Sequence, residues 1–229
     1  MMKPAPWLYY ITDRTQFSGD EAARRKSLLA KIAEATRAGV DYIQLRERDL
    51  SARALESLAR QALQVIRENS GRLGSPRLLL NSRSDVALAV GADGVHLRSL
   101  DLAPAEVRRI CRAVASPPAR EFLIGVSCHT PAEIAAAEAG ADFAVFGPVF
   151  QKRAAPTQVA LEPAPWPAGL AQLSLACRAS IPVLALGGVT LDNARECIAQ
   201  GARGVAGIRL FQQNDVQRVV AALRTSSPR

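Results

Sequence analysis

GADGVHL, residues 91–97, is the stretch that decides how the chain folds. A glycine closes a helical run, a short spacer follows, and an apolar strand begins. The same design recurs as AGVDYIQL (38–45), GADFAVF (140–146) and GARGVAG (201–207). The glycines stand at 39, 91, 140 and 201, so the steps are 52, 49 and 61 residues, about two strand–helix units each.

Outward from these anchors, strand and helix signals alternate from end to end. Branched and aromatic runs predict strands at 7–12, 40–45, 78–80, 94–97, 122–126, 143–146, 183–186 and 204–206. Helical spacing predicts helices at 19–38, 52–68, 83–90, 105–114, from 130 onward, 170–179, 192–200 and 215–224. Ser51 reads as an N-cap, Pro104 sits in a first turn, and Thr130 with Glu133 forms a capping box. A loop rich in Ala, Pro and Gln fills 151–168. Eight such units predict an α/β fold, a single (β/α)8 TIM barrel domain over 1–229, with 225–229 as a frayed tail. An open doubly wound sheet is the alternative, but its GxGxxG first turn is missing.

The 229 residues are 48% hydrophobic, enough for one sizeable core, and carry a formal net charge of +8. That balance favours anionic ligands. Nucleic acid is not expected: the basic residues are spread over helical faces (Arg24, Arg25, Lys26; Arg108, Arg109, Arg112), and 5% aromatics give no stacking platform. Cys111, Cys128, Cys177 and Cys197 show no CxxC spacing, which predicts reduced thiols in a cytoplasmic protein. No run approaches a membrane span, and no secretory leader is visible, so no membrane is expected.

A barrel of this kind puts its chemistry at the C-terminal strand ends. In order these ends offer Gln44, Arg46, Glu47 and Arg48; Asn81, Ser82 and Arg83; His96, Arg98 and Asp101; Ser127, Cys128 and His129; Gln151, Lys152 and Arg153; Gly187 and Gly188; and Gly207, Ile208 and Arg209. Arg46, Arg48, Lys152 and Arg153 would build a positive mouth. Glu47 reads equally as a rim ion pair with a neighbouring arginine. His96, between Val95 and Leu97, reads as a structural histidine. His129 lies just past a strand and before a helix, where an imidazole can shuttle protons. Cys128 beside it points elsewhere, so the two make no dyad. Two histidines without spaced carboxylates exclude a zinc-type cluster. Gly187 and Gly188 end the 183–186 strand; their N–H groups read either as a phosphate seat or as a plain strand-to-helix turn.

Taken together, YYITD (9–13), VDYIQLRERDLSA (40–52), LLNSRSDVALAVGADGVHL (79–97), IGVSCHT (124–130), GADFAVFGPVF (140–150) and PVLALGGVT (182–190) resemble the family of thiamine phosphate synthase and its relative, the thiazole tautomerase of the TenI type. The resemblance runs in order through most of the chain. It implies the barrel, a role in thiamine biosynthesis, and a small phosphorylated thiazole or thiamine intermediate as ligand, with a homo-oligomer possible.

The resemblance also implies which branch applies. The synthase joins a pyrimidine diphosphate to a thiazole phosphate with Mg²⁺ held by two aspartates. One of those positions is Ser82 here; the other is Asp101. The synthase's phosphate loop reads QKRAAPTQ (151–158), with Ala154 and Ala155 where Thr-Lys is expected, and the lysine ending the second-strand motif is Arg48. The tautomerase needs no cofactor: a phosphate seat, an anion-friendly pocket and one proton carrier suffice. His129 matches the carrier. Gly187, Gly188, Gly207, Ile208 and Arg209 match the seat, and Gln44, Arg46, Arg48, Asn81 and Ser127 the remaining ligand contacts. The expectation is an isomerase that aromatises a thiazole carboxylate phosphate. A divergent synthase, with Mg²⁺ at Asp101, is the alternative, and a non-catalytic phosphate-binding barrel a third.

Overall fold

The computed structural model describes residues 4–71, 74–114, 122–151 and 167–224. Eight parallel strands close on themselves in sequence order, with β1 (Trp7–Ile11) paired to both β2 (Tyr42–Leu45) and β8 (Gly204–Gly207). Between these lie β3 (Arg77–Asn81), β4 (Gly94–Leu97), β5 (Leu123–Cys128), β6 (Phe143–Phe146) and β7 (Val183–Ala185). The helices are α1 (Glu21–Ala38), α2 (Ala52–Asn69), α3 (Ser84–Val90), α4 (Pro104–Val114), α5 (Pro131–Ala137), α6 (Gly169–Ala176), α7 (Ala194–Ala199), α8 (Arg209–Gln212) and α9 (Val216–Arg224). This is the expected (β/α)8 barrel. The tail at 225–229 and the loop positions Lys152, Arg153, Ala154 and Ala155 lie outside the described residues.

The caps follow from the sequence. Asp20 and Ser51 accept from Ala23 N and Ala54 N at the starts of α1 and α2, and Thr130 accepts from Glu133 N at α5. The main departure is at the end of β8. The sequence carries no helical signal for 209–212, because four residues are too few to show a period, yet α8 forms there.

The repeat has a structural cause. Its polar position pins a neighbouring strand at the N-terminal face of the barrel. Asp41 accepts from Leu8 N (2.8 Å), Asp93 from Leu78 N (2.9 Å) and Asp142 from Ile124 N (2.6 Å). An arginine caps each carboxylate: Arg224 on Asp41, Arg77 on Asp93, Arg108 on Asp142. In the fourth copy Arg203 holds the place. It donates to Ala5 O (2.6 Å) and lies over the Trp7 ring at 4.7 Å. Three of the repeat glycines take a left-handed φ (Gly39, Gly91, Gly201); Gly140 does not, and is instead fixed by Ala105 N, which a Cβ would meet at 2.2 Å.

Apolar packing forms two layers. Outward-facing strand residues such as Leu8, Ile43, Leu78 and Ile124 pack against the helices. Inside the barrel, Tyr9, Ile11, Leu79, Phe143, Val145, Leu184 and Ala206 form a second cluster. Its aromatic members stack edge to face: Tyr9 on Phe143 at 5.6 Å and on Tyr42 at 5.8 Å. Above this floor the barrel opens into the site.

Candidate active site

A pocket of about 860 Å³ sits at the C-terminal strand ends. Its wall contains Gln44, Arg46, Arg48, Asn81, Ser127, His129, Gly187, Gly188, Gly207, Ile208 and Arg209 together. Asp101 lies one contact behind this wall, bonded to Ser82 and Arg98. Leu186, Thr190, Asp192 and Asn214 also line the pocket, and the sequence singles out none of them as a site residue. They sit on turns whose shape only the closed barrel defines.

One wall is glycine. Gly187 and Gly188 have φ of 92° and 64°. A Cβ at Gly187 would meet Pro148 Cα at 2.5 Å, and one at Gly188 would meet Phe150 Cβ at 2.7 Å. The segment after β6 therefore rests directly on this turn, with Phe150 N donating to Gly187 O. Asn193 clamps the far side, donating to Gly188 O (3.0 Å) and accepting from Thr190 N (2.8 Å). The glycine pair is thus a packing turn, and both of its residues line the pocket.

The opposite wall is cationic. Arg46 is half-buried, and its charge is disfavoured first by burial and then by neighbouring Arg48, which together lower its pKa. An anion between the two relieves both costs. Glu47 does not pair with either arginine. It is buried and turned away, accepting from Thr12 Oγ1 (2.6 Å) and from the backbone N and guanidinium of Arg14. Arg14 is itself buried and also binds Asp49 (2.6 Å) and Glu21 (2.9 Å), contacts that hold it charged. Anchoring Glu47 inward leaves its two neighbours to flank the pocket.

Between the walls runs a chain of polar side chains whose direction is forced. The Asp101 carboxylate accepts only, so Ser82 Oγ donates to it (2.6 Å). Ser82 then accepts from Asn81 Nδ2 (3.1 Å), and Asn81 Oδ1 accepts from Gln44 Nε2 (2.9 Å). Gln44 is left to present its carbonyl oxygen. Burial raises the Asp101 pKa, but the bonds from Arg98 and Ser82 outweigh it and hold the carboxyl below its ordinary range.

The same geometry tests whether magnesium fits. Oδ1 of Asp101 takes Arg98 Nε (3.1 Å) and Nη2 (2.8 Å); Oδ2 takes Ser82 Oγ and Arg98 N. Magnesium requires oxygen ligands in a tight octahedron with anionic charge. Here one carboxylate is already saturated, partly by a guanidinium cation, and its neighbour is neutral. The residues present do not fit the ion. Among the described residues, no group of three or more His, Cys, Asp or Glu side chains is placed to hold a metal.

His129 stands at the start of the turn into α5. Its backbone N donates to Glu133 Oε2 (2.6 Å), and its Nδ1 lies 2.6 Å from Gly147 O. Cys128 is buried, and burial first, then Glu133, pushes its thiol up to about 12, so it is no nucleophile at neutral pH. His96 is buried, as its strand position suggests, with Tyr9 and Ser127 as partners.

A closed parallel barrel with a pocket at its C-terminal strand ends, the usual place for a ligand in that fold, defines the class of (β/α)8 barrel proteins. The sequence model of the TMP-TENI family, described as thiamine monophosphate synthase, matches residues 8–211. The chain belongs to that family. It is 43% identical over 201 residues to a putative thiamine-phosphate synthase of Geobacter sulfurreducens, covering 87% of this chain and 83% of the relative. It is 38% identical over 220 residues to a thiamine-phosphate synthase of Methanoculleus marisnigri, covering 95% and 93%. Among solved structures, the thiamine phosphate pyrophosphorylase of Pyrococcus furiosus superposes with a TM-score of 0.73 at 30% identity, covering 96% of this chain and 94% of that one. No helix among the described residues is long and apolar enough to cross a membrane.

Proposed function

We propose that this member of the family works as a thiazole tautomerase, aromatising a thiazole carboxylate phosphate by proton transfer. The observation that carries the reading is the state of Asp101: its carboxylate is taken up by Arg98 and Ser82, so pyrophosphate-release chemistry that needs a divalent ion has no ligand set among the described residues. What the pocket does offer suits a proton shift. The ligand's phosphate sits on the glycine wall, and its carboxylate faces Arg46 and Arg48. His129, tied through Nδ1 to a carbonyl, offers Nε2 as the base. The proton leaves a carbon of the non-aromatic ring for Nε2 and is returned elsewhere in the conjugated system. No atom is gained or lost, and no leaving group departs.

The test is to incubate the protein with the non-aromatic tautomer and follow aromatisation. Conversion no faster than in buffer removes the reading. The names of the relatives favour a second reading, a transferase that joins a pyrimidine diphosphate to a thiazole phosphate. Those two substrates with Mg²⁺, assayed for pyrophosphate, decide it: release at a catalytic rate establishes the transferase, and none over a range of metal concentrations eliminates it. Ser82→Asp combined with Arg98→Gly would rebuild the acidic pair. Gain of Mn²⁺ binding by electron paramagnetic resonance in that variant, absent in the parent, is the expected outcome.

A further inference from the structure

One buried polar chain inside the barrel has no part in the chemistry above. Tyr9 on β1 is fully buried, and its hydroxyl lies 3.1 Å from Nδ1 of His96 on β4. Nε2 of the same ring lies 2.9 Å from Oγ of Ser127 on β5, and Ser127 lines the pocket. Gly125, also on β5, makes room for it: a Cβ there would come within 2.8 Å of His96 Nδ1. The chain thus runs from the apolar floor to the ligand space.

Its direction follows from counting protons. Among the described residues the phenol has one hydrogen-bond partner, His96 Nδ1, and the apolar and aromatic side chains of the barrel interior surround the rest of it. If Nδ1 carried the proton, the phenolic O–H would point at apolar wall and bear its full desolvation cost. Tyr9 therefore donates and Nδ1 accepts. A neutral imidazole has one N–H, so Nε2 holds it and donates to Ser127. Burial pushes the His96 pKa down to about 3, which keeps the ring neutral at working pH. Ser127 Oγ accepts from His96, and its own proton has no other partner among the described residues.

We propose that Tyr9 and His96 are positioning residues that commit Ser127 to donate its hydroxyl proton into the pocket, so that the ligand atom held there is a hydrogen-bond acceptor. A hydroxyl left to itself rotates and serves donors and acceptors alike. This one is locked to a single sense, and the pocket rejects a ligand that presents a donor at that point. The assignment concerns recognition and is independent of which reaction follows.

The chain has two histidines, which makes the test direct. In ¹⁵N-histidine-labelled protein at pH 7, long-range proton–nitrogen correlations should show His96 as the Nε2–H tautomer. An Nδ1–H or cationic His96 overturns the proposal. The second arm uses inorganic pyrophosphate, which displays acceptor oxygens, in calorimetry. Ser127→Ala should weaken its binding roughly tenfold to hundredfold. Tyr9→Phe should weaken it less, and should cost nothing further when added to Ser127→Ala. Additive losses would mean that the Tyr9 hydroxyl acts independently of Ser127 and would overturn the proposal, as would wild-type binding no tighter than that of Ser127→Ala. The tautomer measurement needs no variant, so a variant that fails to fold leaves the proposal open to refutation.

Discussion

His129 Nδ1 lies 2.6 Å from the carbonyl oxygen of Gly147. A carbonyl has no proton to give, so Nδ1 carries one, and Nε2 of the neutral ring keeps a free lone pair. In its neutral form this ring is the opposite tautomer to the one assigned above to His96 inside the barrel. Replacing His129 by Ala should lower the rate of aromatisation roughly 10²–10⁴-fold while leaving phosphate affinity intact. Steady-state kinetics read beside phosphate titration check this. A variant with full turnover would dismiss the histidine as the proton carrier.

Two glycines with similar backbone angles should respond differently to the same substitution. At Gly188 (φ 64°) an added methyl carbon would stand 2.7 Å from Phe150 Cβ, whereas at Gly91 (φ 70°) it would meet nothing within 4 Å. Gly91→Ala should cost about 1 kcal/mol, from backbone strain alone. Gly188→Ala adds a collision and should cost about 2–4 kcal/mol, together with a raised KM. Urea denaturation of both variants measures the difference; equal costs would mean that the turn yields freely.

The Arg14–Glu47 pair predicts an order rather than a single value. Arg14→Met strands the Glu47 carboxylate, 5% exposed, with a hydroxyl and a backbone amide as its remaining donors. Glu47→Gln leaves Arg14 with Asp49 and Glu21. The first should cost about 3–5 kcal/mol and the second clearly less. Both should raise KM for an anionic ligand, because Arg46 and Arg48 lose the anchor between them. Chemical denaturation gives the order, and its reversal would contradict the burial geometry.

Acid stability should carry the mark of His96. Its folded pKa is depressed to about 3, against about 6.5 in an unfolded chain. The unfolded state therefore binds the extra proton first as pH falls. The contribution is complete above about pH 6.5 and is lost progressively toward pH 3. The carboxyls of Asp49, Asp85 and Asp101 are all held low, so their losses come at more acidic pH. Between about pH 6.5 and 4.5 the fall should flatten in His96→Gln, as read from denaturation midpoints across that window.

The fold was legible because it is written locally. Each strand is a short apolar run, every helix but α8 has a capping residue or a period, and the four glycine-led copies indicate the count. What those copies are for was not legible. Asp41, Asp93 and Asp142 look like ordinary polar spacers until the neighbouring strand's amide is seen bonded to each. The pocket wall was largely readable for the same reason as the fold, since strand ends can be located from sequence. Its wiring was not. Glu47 reads as a partner for Arg46 or Arg48, yet its partner is Arg14, 33 residues earlier, because alternate residues at a strand end face opposite ways. His96 and Tyr9 lie 87 residues apart, and nothing along the chain says they meet. Helix α8 escaped because its four residues owe their shape to the packing of Leu210 and Phe211, which no period reveals.

The aromatic floor of the barrel has a consequence for traffic. Tyr9, Tyr42, Phe143 and Trp7 stack ring against ring beneath the pocket, with the His96 ring among them. Nothing the size of a heterocycle passes that plug, so among the described residues the site is a cul-de-sac that opens at the C-terminal end of the barrel. Incoming and outgoing molecules must take turns at it. A product that keeps its phosphate holds the same berth the next substrate needs, and its departure rather than the chemistry can set the pace of turnover.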